Sequence, residues 1–186
     1  MTRTGAGVKE FVAGKGAVEI RRVGPDAAEA LAHLSAETFR LAYDSLHSAD
    51  NIAAYCAATF TPDKLAVLLD EPMIHCEVAF LDDEAVGFAM TAHHDGPLAM
   101  VGPASELKRL YVLPQVYGMG IGKALFKGAV MAARAVRRRH MWLSVADINI
   151  RGRPFYDRLG FKVIGVGPTF MVGHDRVTST LMARSL

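Results

Sequence analysis

Residues 110–122 turn an apolar run directly into glycine-punctuated chain: Leu110, Tyr111 and Val112 precede a break at Pro114, and Gly118, Gly120 and Gly122 then open a long periodic segment. No other stretch constrains the fold as strongly, because it demands a strand that feeds straight into the start of a helix. Free N–H groups and the positive end of the helix dipole make such a start an anion site. Glycines let the backbone approach a bulky phosphate and accept dihedral angles that other residues resist. The chain is therefore expected to hold a phosphate-bearing ligand there.

Around this stretch the hydrophobic period switches between helical and strand-like spacing. Residues 17–22 read as a first strand, and Gly24-Pro25-Asp26 start a helix whose inward positions are Ala30, Leu31, Leu34, Thr38 and Leu41. Two further helices are expected near residues 50–60 and 63–69. Thr61 caps the second of these, with Pro62 at the first helical position, where its missing donor is harmless. Ile74, Cys76, Val78 and Phe80 then alternate, Asp82-Asp83-Glu84 turn, and Val86, Phe88 and Met90 return, so that residues 73–93 form a hairpin. Residues 106–113 supply the next strand, and residues 120–139 a helix with Ile121, Leu125, Ala129, Ala132 and Val136 as its apolar stripe. A buried strand at 141–145, a helix stopped by a left-handed Gly160, and strands at 162–166 and 177–183 complete the chain. No repeat or linker interrupts the pattern. Residues 17–186 are expected to form one α/β domain, a mixed but mostly antiparallel sheet of about seven strands flanked by helices. Residues 1–16, with Arg3, Lys9 and Lys15 among glycines, lack the apolar core of a signal peptide and read as a flexible arm.

Composition removes several functions. A net charge of +2 over 186 residues is too small to argue for nucleic acid. The basic run Arg137-Arg138-Arg139-His140 fits a solvated helix end, where cations meet the negative end of the dipole. No apolar segment is long enough to span a membrane. Cys56 and Cys76 form neither a disulfide framework nor a metal-ligand spacing, which suits reduced thiols in a cytoplasmic protein. His93-His94-Asp95 are adjacent, and neighbouring strand residues point to opposite faces, so no metal site is expected.

The glycine spacing then selects among phosphate ligands. Lys123 follows Gly122 as in a mononucleotide loop, but Ala124 stands where a hydroxyl is needed. A dinucleotide fingerprint needs Gly-x-Gly-x-x-Gly early in the chain with a downstream acid, and neither condition holds. Gln115-x-x-Gly118-x-Gly120-Ile121-Gly122 instead resembles the coenzyme A pyrophosphate loop of the GNAT superfamily of N-acetyltransferases. Trp142-Leu143-Ser144-Val145, Asn149, Phe155-Tyr156 and Leu159-Gly160-Phe161 resemble the next motif block of that superfamily, at the right distance. The two blocks cover residues 106–161. In the other half, Glu37-Thr38-Phe39, Tyr43, Asn51, Ala54-Tyr55, Phe60 and Lys64-Leu65 resemble the PaiA-like subgroup of polyamine acetyltransferases.

The resemblance implies the acyl-CoA N-acyltransferase fold, acetyl-CoA as co-substrate, no metal, and transfer of an acetyl group to a primary amine such as a polyamine. It also implies roles for individual residues. The backbone of Leu110, Tyr111 and Val112 would pair with the pantetheine arm. Gln115 and the loop of Tyr117, Gly118, Met119, Gly120, Ile121, Gly122 and Lys123 would cradle the pyrophosphate. Many relatives carry arginine where Tyr117 stands, a loss that Lys123 would offset. Asn149 would contact the coenzyme or cap the following helix, Phe155 would line the coenzyme, and Pro154 would delay that helix. Tyr156 would be the general acid beside the coenzyme sulfur. Glu106 stands where a strand glutamate serves as base in one branch. Simple alternation places it with Lys108, Leu110 and Val112, an arrangement that a bulge would change.

Two alternatives remain open at this level: a peptide or protein N-acetyltransferase, and a non-catalytic acyl-coenzyme A sensor. Exposed sheet edges would allow a homodimer.

Overall fold

The computed structural model describes residues 9–13, 16–94, 96–97 and 102–186. Strands β1 (Lys9–Ala13) and β2 (Gly16–Val23) lead into α1 (Ala28–Tyr43), α2 (Ala49–Thr59) and α3 (Pro62–Asp70). Then come β3 (Ile74–Leu81), β4 (Glu84–Ala92), β5 (Ala104–Val112), α4 (Ile121–Ala135), β6 (His140–Ala146) and α5 (Gly152–Arg158). β7 (Lys162–Val166), β8 (Phe170–Val172), β9 (Asp175–Val177) and β10 (Ser179–Ser185) close the chain. The main sheet has eight strands in the order β1-β2-β3-β4-β5-β6-β10-β7. Its pairings are antiparallel apart from the parallel contact between β5 and β6.

Local chemistry explains most of the boundaries. The Ser48 hydroxyl accepts from Asn51 N–H to start α2, and that of Thr61 accepts from Lys64 N–H to start α3. Asp82 and Asp83 adopt φ of 51° and 66° in a two-residue loop, the backbone that matches the twist of an antiparallel hairpin. Gly160 has φ of 86°, and Phe161 N–H bonds back to Tyr156 C=O while Gly160 N–H bonds to Asp157 C=O, so α5 ends in a Schellman motif.

The structure corrects five expectations. Part of the expected arm forms a strand: Lys9–Ala13 pair with β2 at the edge of the sheet, beside the strands expected from residue 17 onward. The remaining residues of that arm, 1–8 and 14–15, lie outside the described residues. Helix α4 stops at Ala135, not near residue 139, because Arg137 takes a left-handed φ of 59° and Arg138 N–H closes a second Schellman motif on Ala133 C=O. Val136 is consequently exposed, and Phe126 and Ala133 join the buried stripe instead. On α1, Ala30 faces solvent while Ala28, Ala32, Ser35 and Phe39 are buried. Residues 170–177 form a separate two-stranded ribbon, β8–β9, and only from Ser179 does the chain rejoin the main sheet.

Helices cover both sides of the sheet. α4 packs against β3, β4 and β5, with Gly128 directly over Glu77. The adjacent Val78 pairs with Phe88, and Phe88 with Tyr111, so this second face points the other way, toward α1 and α2. Leu31, Phe88, Ile121, Leu125, Met141, Leu143 and Phe161 are among the fully buried side chains of the main core. A smaller cluster of Phe39, Tyr43, Ile52, Phe60, Ala146, Val172 and Val177 joins α1 and α2 to the ribbon. No single helix among the described residues is long and apolar enough to cross a membrane. Cys76 is buried and Cys56 half-buried, both as free thiols, and burial pushes the Cys76 thiol up to about 12.

Candidate active site

β5 and β6 part company halfway. Their parallel ladder joins Ala104 to His140, Ser105 to Met141 and Glu106 to Trp142, and goes no further. β5 continues to Val112 and β6 to Ala146, so a wedge opens between residues 107–112 and 143–146. Backbone groups along this edge have no strand partner and can pair with an extended, amide-bearing molecule.

The wide end of the wedge meets the start of α4. Gly118 and Gly120 adopt φ of 81° and 82°, and a Cβ at either would meet nothing within 4 Å. The space over this loop is therefore open, and the left-handed backbone explains the glycines. No side chain caps α4. The N–H groups of Ile121, Gly122 and Lys123 thus keep the positive character of an uncapped helix start. Across the loop, a Cβ on Gly122 would lie 3.5 Å from the Phe155 ring and 3.6 Å from Val112, ordinary contact distances that put the start of α4 against α5. Gln115 and Lys123 are exposed beside it, and Arg151 places its guanidinium 5.6 Å from the centroid of the exposed Tyr117 ring. Spacing alone did not single out Arg151, because the contact joins two loops some thirty residues apart in sequence.

Asn149 shapes the other wall. Its Oδ1 accepts from Gly152 N–H at 2.8 Å, which starts α5 three residues after Asn149. Pro154 then falls in the first turn, where no intrahelical donor is required. Asn149 Nδ2 reaches Tyr43 Oη at 3.5 Å. Tyr156 lies between Phe155 and Phe161, with ring centroids at 5.4 and 5.7 Å. Burial, followed by the proximity of Tyr43, holds the Tyr156 phenol above its ordinary value, so it stays protonated at neutral pH. Burial does the same to Tyr111 and Tyr43.

At the narrow end the register slips. Met90 pairs with Arg109 but Thr91 with Leu107, which leaves Lys108 as the extra residue of a bulge. The slip carries Glu106 and Lys108 to the face of Arg109 and Tyr111, away from Leu110 and Val112. Glu106 is largely covered, and its Oε2 lies 3.0 Å from both His94 Nε2 and Lys108 Nζ. Facing this strand, Phe39 stacks on Tyr43 and Tyr55 at 4.5 and 4.4 Å, and Phe60 closes the cluster edge-on. The ribbon β8–β9 is fastened over α1 and α2 by His47 Nδ1 with Asp175 Oδ2 at 2.8 Å and by His174 N–H to Asn51 Oδ1 at 3.0 Å. No group of His, Cys, Asp and Glu that could hold a metal occurs among the described residues.

This geometry has relatives. The chain matches the acetyltransferase (GNAT) family over residues 28–161. It is 31% identical over 159 residues to an uncharacterized N-acetyltransferase of Mycobacterium tuberculosis, covering 86% of this chain and 97% of that one. A spermidine N(1)-acetyltransferase of Thermoplasma acidophilum is 25% identical over 150 residues, covering 78% and 89% of the two chains. The crystal structure of PaiA N-acetyltransferase from Thermoplasma acidophilum in complex with coenzyme A superposes with a TM-score of 0.76 at 22% identity, covering 91% of this chain and 99% of that one. The opened sheet, the uncapped glycine-lined helix start and the match across most of the length agree: the chain belongs to the acetyltransferase (GNAT) family and is an acetyl-CoA-dependent N-acetyltransferase.

Proposed function

We propose that this enzyme acetylates the primary amine of a small molecule, and that the wedge between β5 and β6 is where donor and acceptor meet. The observation that carries this reading is the parting of the two strands beyond Glu106 and Trp142, which ends between the α4 start and the α5 wall. Acetyl-CoA supplies an activated thioester. Backbone groups of Leu110, Tyr111 and Val112 hold its extended arm as a neighbouring strand would. The N–H groups of Tyr117 to Lys123, with Gln115 beside them, receive the pyrophosphate; Asn149 and Phe155 form the opposite wall.

Three chemical demands fall on the chain. An alkyl amine with a pKa near 10 is neutral in only about one molecule in a thousand at pH 7, so its proton must be removed. Glu106, directly or through water, accepts that proton. The charge that develops on the carbonyl oxygen as the amine nitrogen attacks is met by a β5 backbone N–H. When the carbon–sulfur bond breaks, Tyr156 donates its proton to the departing thiolate, for which a phenol kept protonated by burial is suited.

The docked ribbon and the aromatic cluster of Phe39, Tyr43, Tyr55 and Phe60 support a small acceptor over a peptide, because they cover the side on which a long substrate would have to lie. The spermidine-acetylating relative brings polyamines into the panel to be tried. The test is release of free coenzyme A from acetyl-CoA with polyamines, amino acids, other small amines and peptides. Release with a small amine is expected. Measurable acetyl-CoA binding without release on any amine would favour a sensor, and release on peptides alone would favour a peptide acetyltransferase.

A further inference from the structure

Arg109 is a cation without a counter-charge on the acceptor side of the sheet. It shares a face with Tyr111, to which the bulge at Lys108 also brings Glu106, and its guanidinium lies 4.7 Å from the centroid of the Phe60 ring. Its Nε is buried with no hydrogen-bond partner, and no ion pair reaches it among the described residues. By contrast, Arg21 pairs with Glu19 and Asp83 and Arg184 donates to Leu159 C=O, while Arg138, whose Nε also lacks a partner, donates to His93 C=O through a terminal nitrogen. The acid nearest in sequence, Glu106, is already engaged by Lys108 and His94. Tyr43 and Tyr111, kept neutral by burial, supply no charge either.

Burying a guanidinium N–H without an acceptor is costly, and Nε–H is the buried donor here, so an acceptor placed beside it would offset that cost. Stacking on Phe60 occupies one flat face and fixes the plane, which leaves the edge donors free for a planar, two-oxygen acceptor. A carboxylate matches that fork. A polyamine would instead bring a second positive charge toward an unpaired one, in a region of low dielectric where repulsion is strong.

We infer that the acceptor is an amine that also carries a carboxylate, such as an amino acid, and that Arg109 is the specificity-determining residue that binds this group. The inference rests on the reading of this face as the acceptor site for a small amine.

The experiment compares each amino acid with its uncharged amide, and with spermidine and putrescine, for coenzyme A release by the wild type, Arg109→Met and Arg109→Lys. Methionine keeps the apolar stem against Phe60, and thermal melting establishes that each variant is folded. The wild type is expected to prefer an amino acid over its amide by about 10-fold or more in kcat/KM, the worth of a charged hydrogen-bonded pair. Arg109→Met should erase that preference through KM for the acceptor, leave KM for acetyl-CoA unchanged, and be partly rescued by Arg109→Lys. Equal or better use of amides or polyamines by the wild type would overturn the inference, as would a variant whose defect lies in KM for acetyl-CoA. Should no amine support release, the proposed function falls, and calorimetric binding of amino acids with coenzyme A present decides the inference. Binding that Arg109→Met abolishes upholds it; binding that is absent or unaffected by the variant overturns it.

Discussion

The Arg151 guanidinium sits over the ring of Tyr117, 5.6 Å from its centroid, and so brings a cation from the start of α5 to the loop that opens α4. By the resemblance of the loop, Tyr117 stands at a position expected to carry arginine. In this chain the tyrosine holds a positive charge from elsewhere, through the negative face of its ring. Arg151→Ala should raise KM for acetyl-CoA about 3- to 10-fold with little change in kcat, as expected for one exposed phosphate contact. Tyr117→Arg in that background should recover most of the loss. Initial rates over a range of acetyl-CoA concentrations check both, and added salt should narrow the difference.

Tyr156→Phe removes the proposed acid but keeps the ring between Phe155 and Phe161. We expect kcat to fall by about 100-fold, within the usual range for a positioned acid, with acetyl-CoA affinity unchanged. The phenol is held above its ordinary value, so its ionisation should impose no loss of rate between pH 7 and pH 10. A pH–rate profile that falls in that interval and becomes flat in the phenylalanine variant would contradict the environment described for Tyr156.

His93 gives stability a pH dependence. It is buried with Nδ1 2.8 Å from Ser105 Oγ. Burial, followed by the nearby His75, Arg138 and Arg22, lowers its pKa from 6.5 to about 4. A histidine depressed in the folded state takes up its proton first in the unfolded chain. Its contribution is therefore fully present above pH 6.5 and is lost progressively as pH falls toward 4. Melting temperatures should decline across that window, and the decline should be shallower in His93→Gln.

Gly128 lies where α4 crosses Glu77, and a Cβ there would come within 1.7 Å of Glu77 Oε2. The carboxyl group is buried, so relieving this contact requires it to shift within the sheet–helix interface. Gly128→Ala should cost about 1–3 kcal/mol despite the better helix propensity of alanine. Urea denaturation measures this, and a stabilised variant would show that Glu77 relocates freely.

At Arg137 the opposite change should help. Its φ of 59° at the end of α4 is one that glycine adopts without strain. Arg137→Gly should stabilise the fold by about 1 kcal/mol in the same denaturation experiment.

Chain-local chemistry was readable before any coordinates. The cap at Thr61, the aspartate turn at 82–83, the stop at Gly160 and the glycine-lined start of α4 each arise from interactions within a few residues. Their signals sit in adjacent letters of the sequence. The resemblance that named the donor was legible for the same reason, since the residues that carry it at 115–122 and 142–161 stand close together in the sequence.

What only the tertiary structure decided depends on partners distant in sequence. The bulge at Lys108 exists because β4 and β5 slip in register, and that slip selects which of Glu106, Leu110 and Arg109 share a face. The ribbon β8–β9 is held by His47 and Asn51, more than a hundred residues upstream, and its short strands carry little period of their own. Arg109 on Phe60 and Arg151 on Tyr117 are likewise contacts that close long loops. Local sequence thus determined the glycine-lined helix start proposed to receive the donor. The face proposed for the acceptor was set by strand register and by side chains, Arg109 and Phe60 among them, that only the folded sheet brings together.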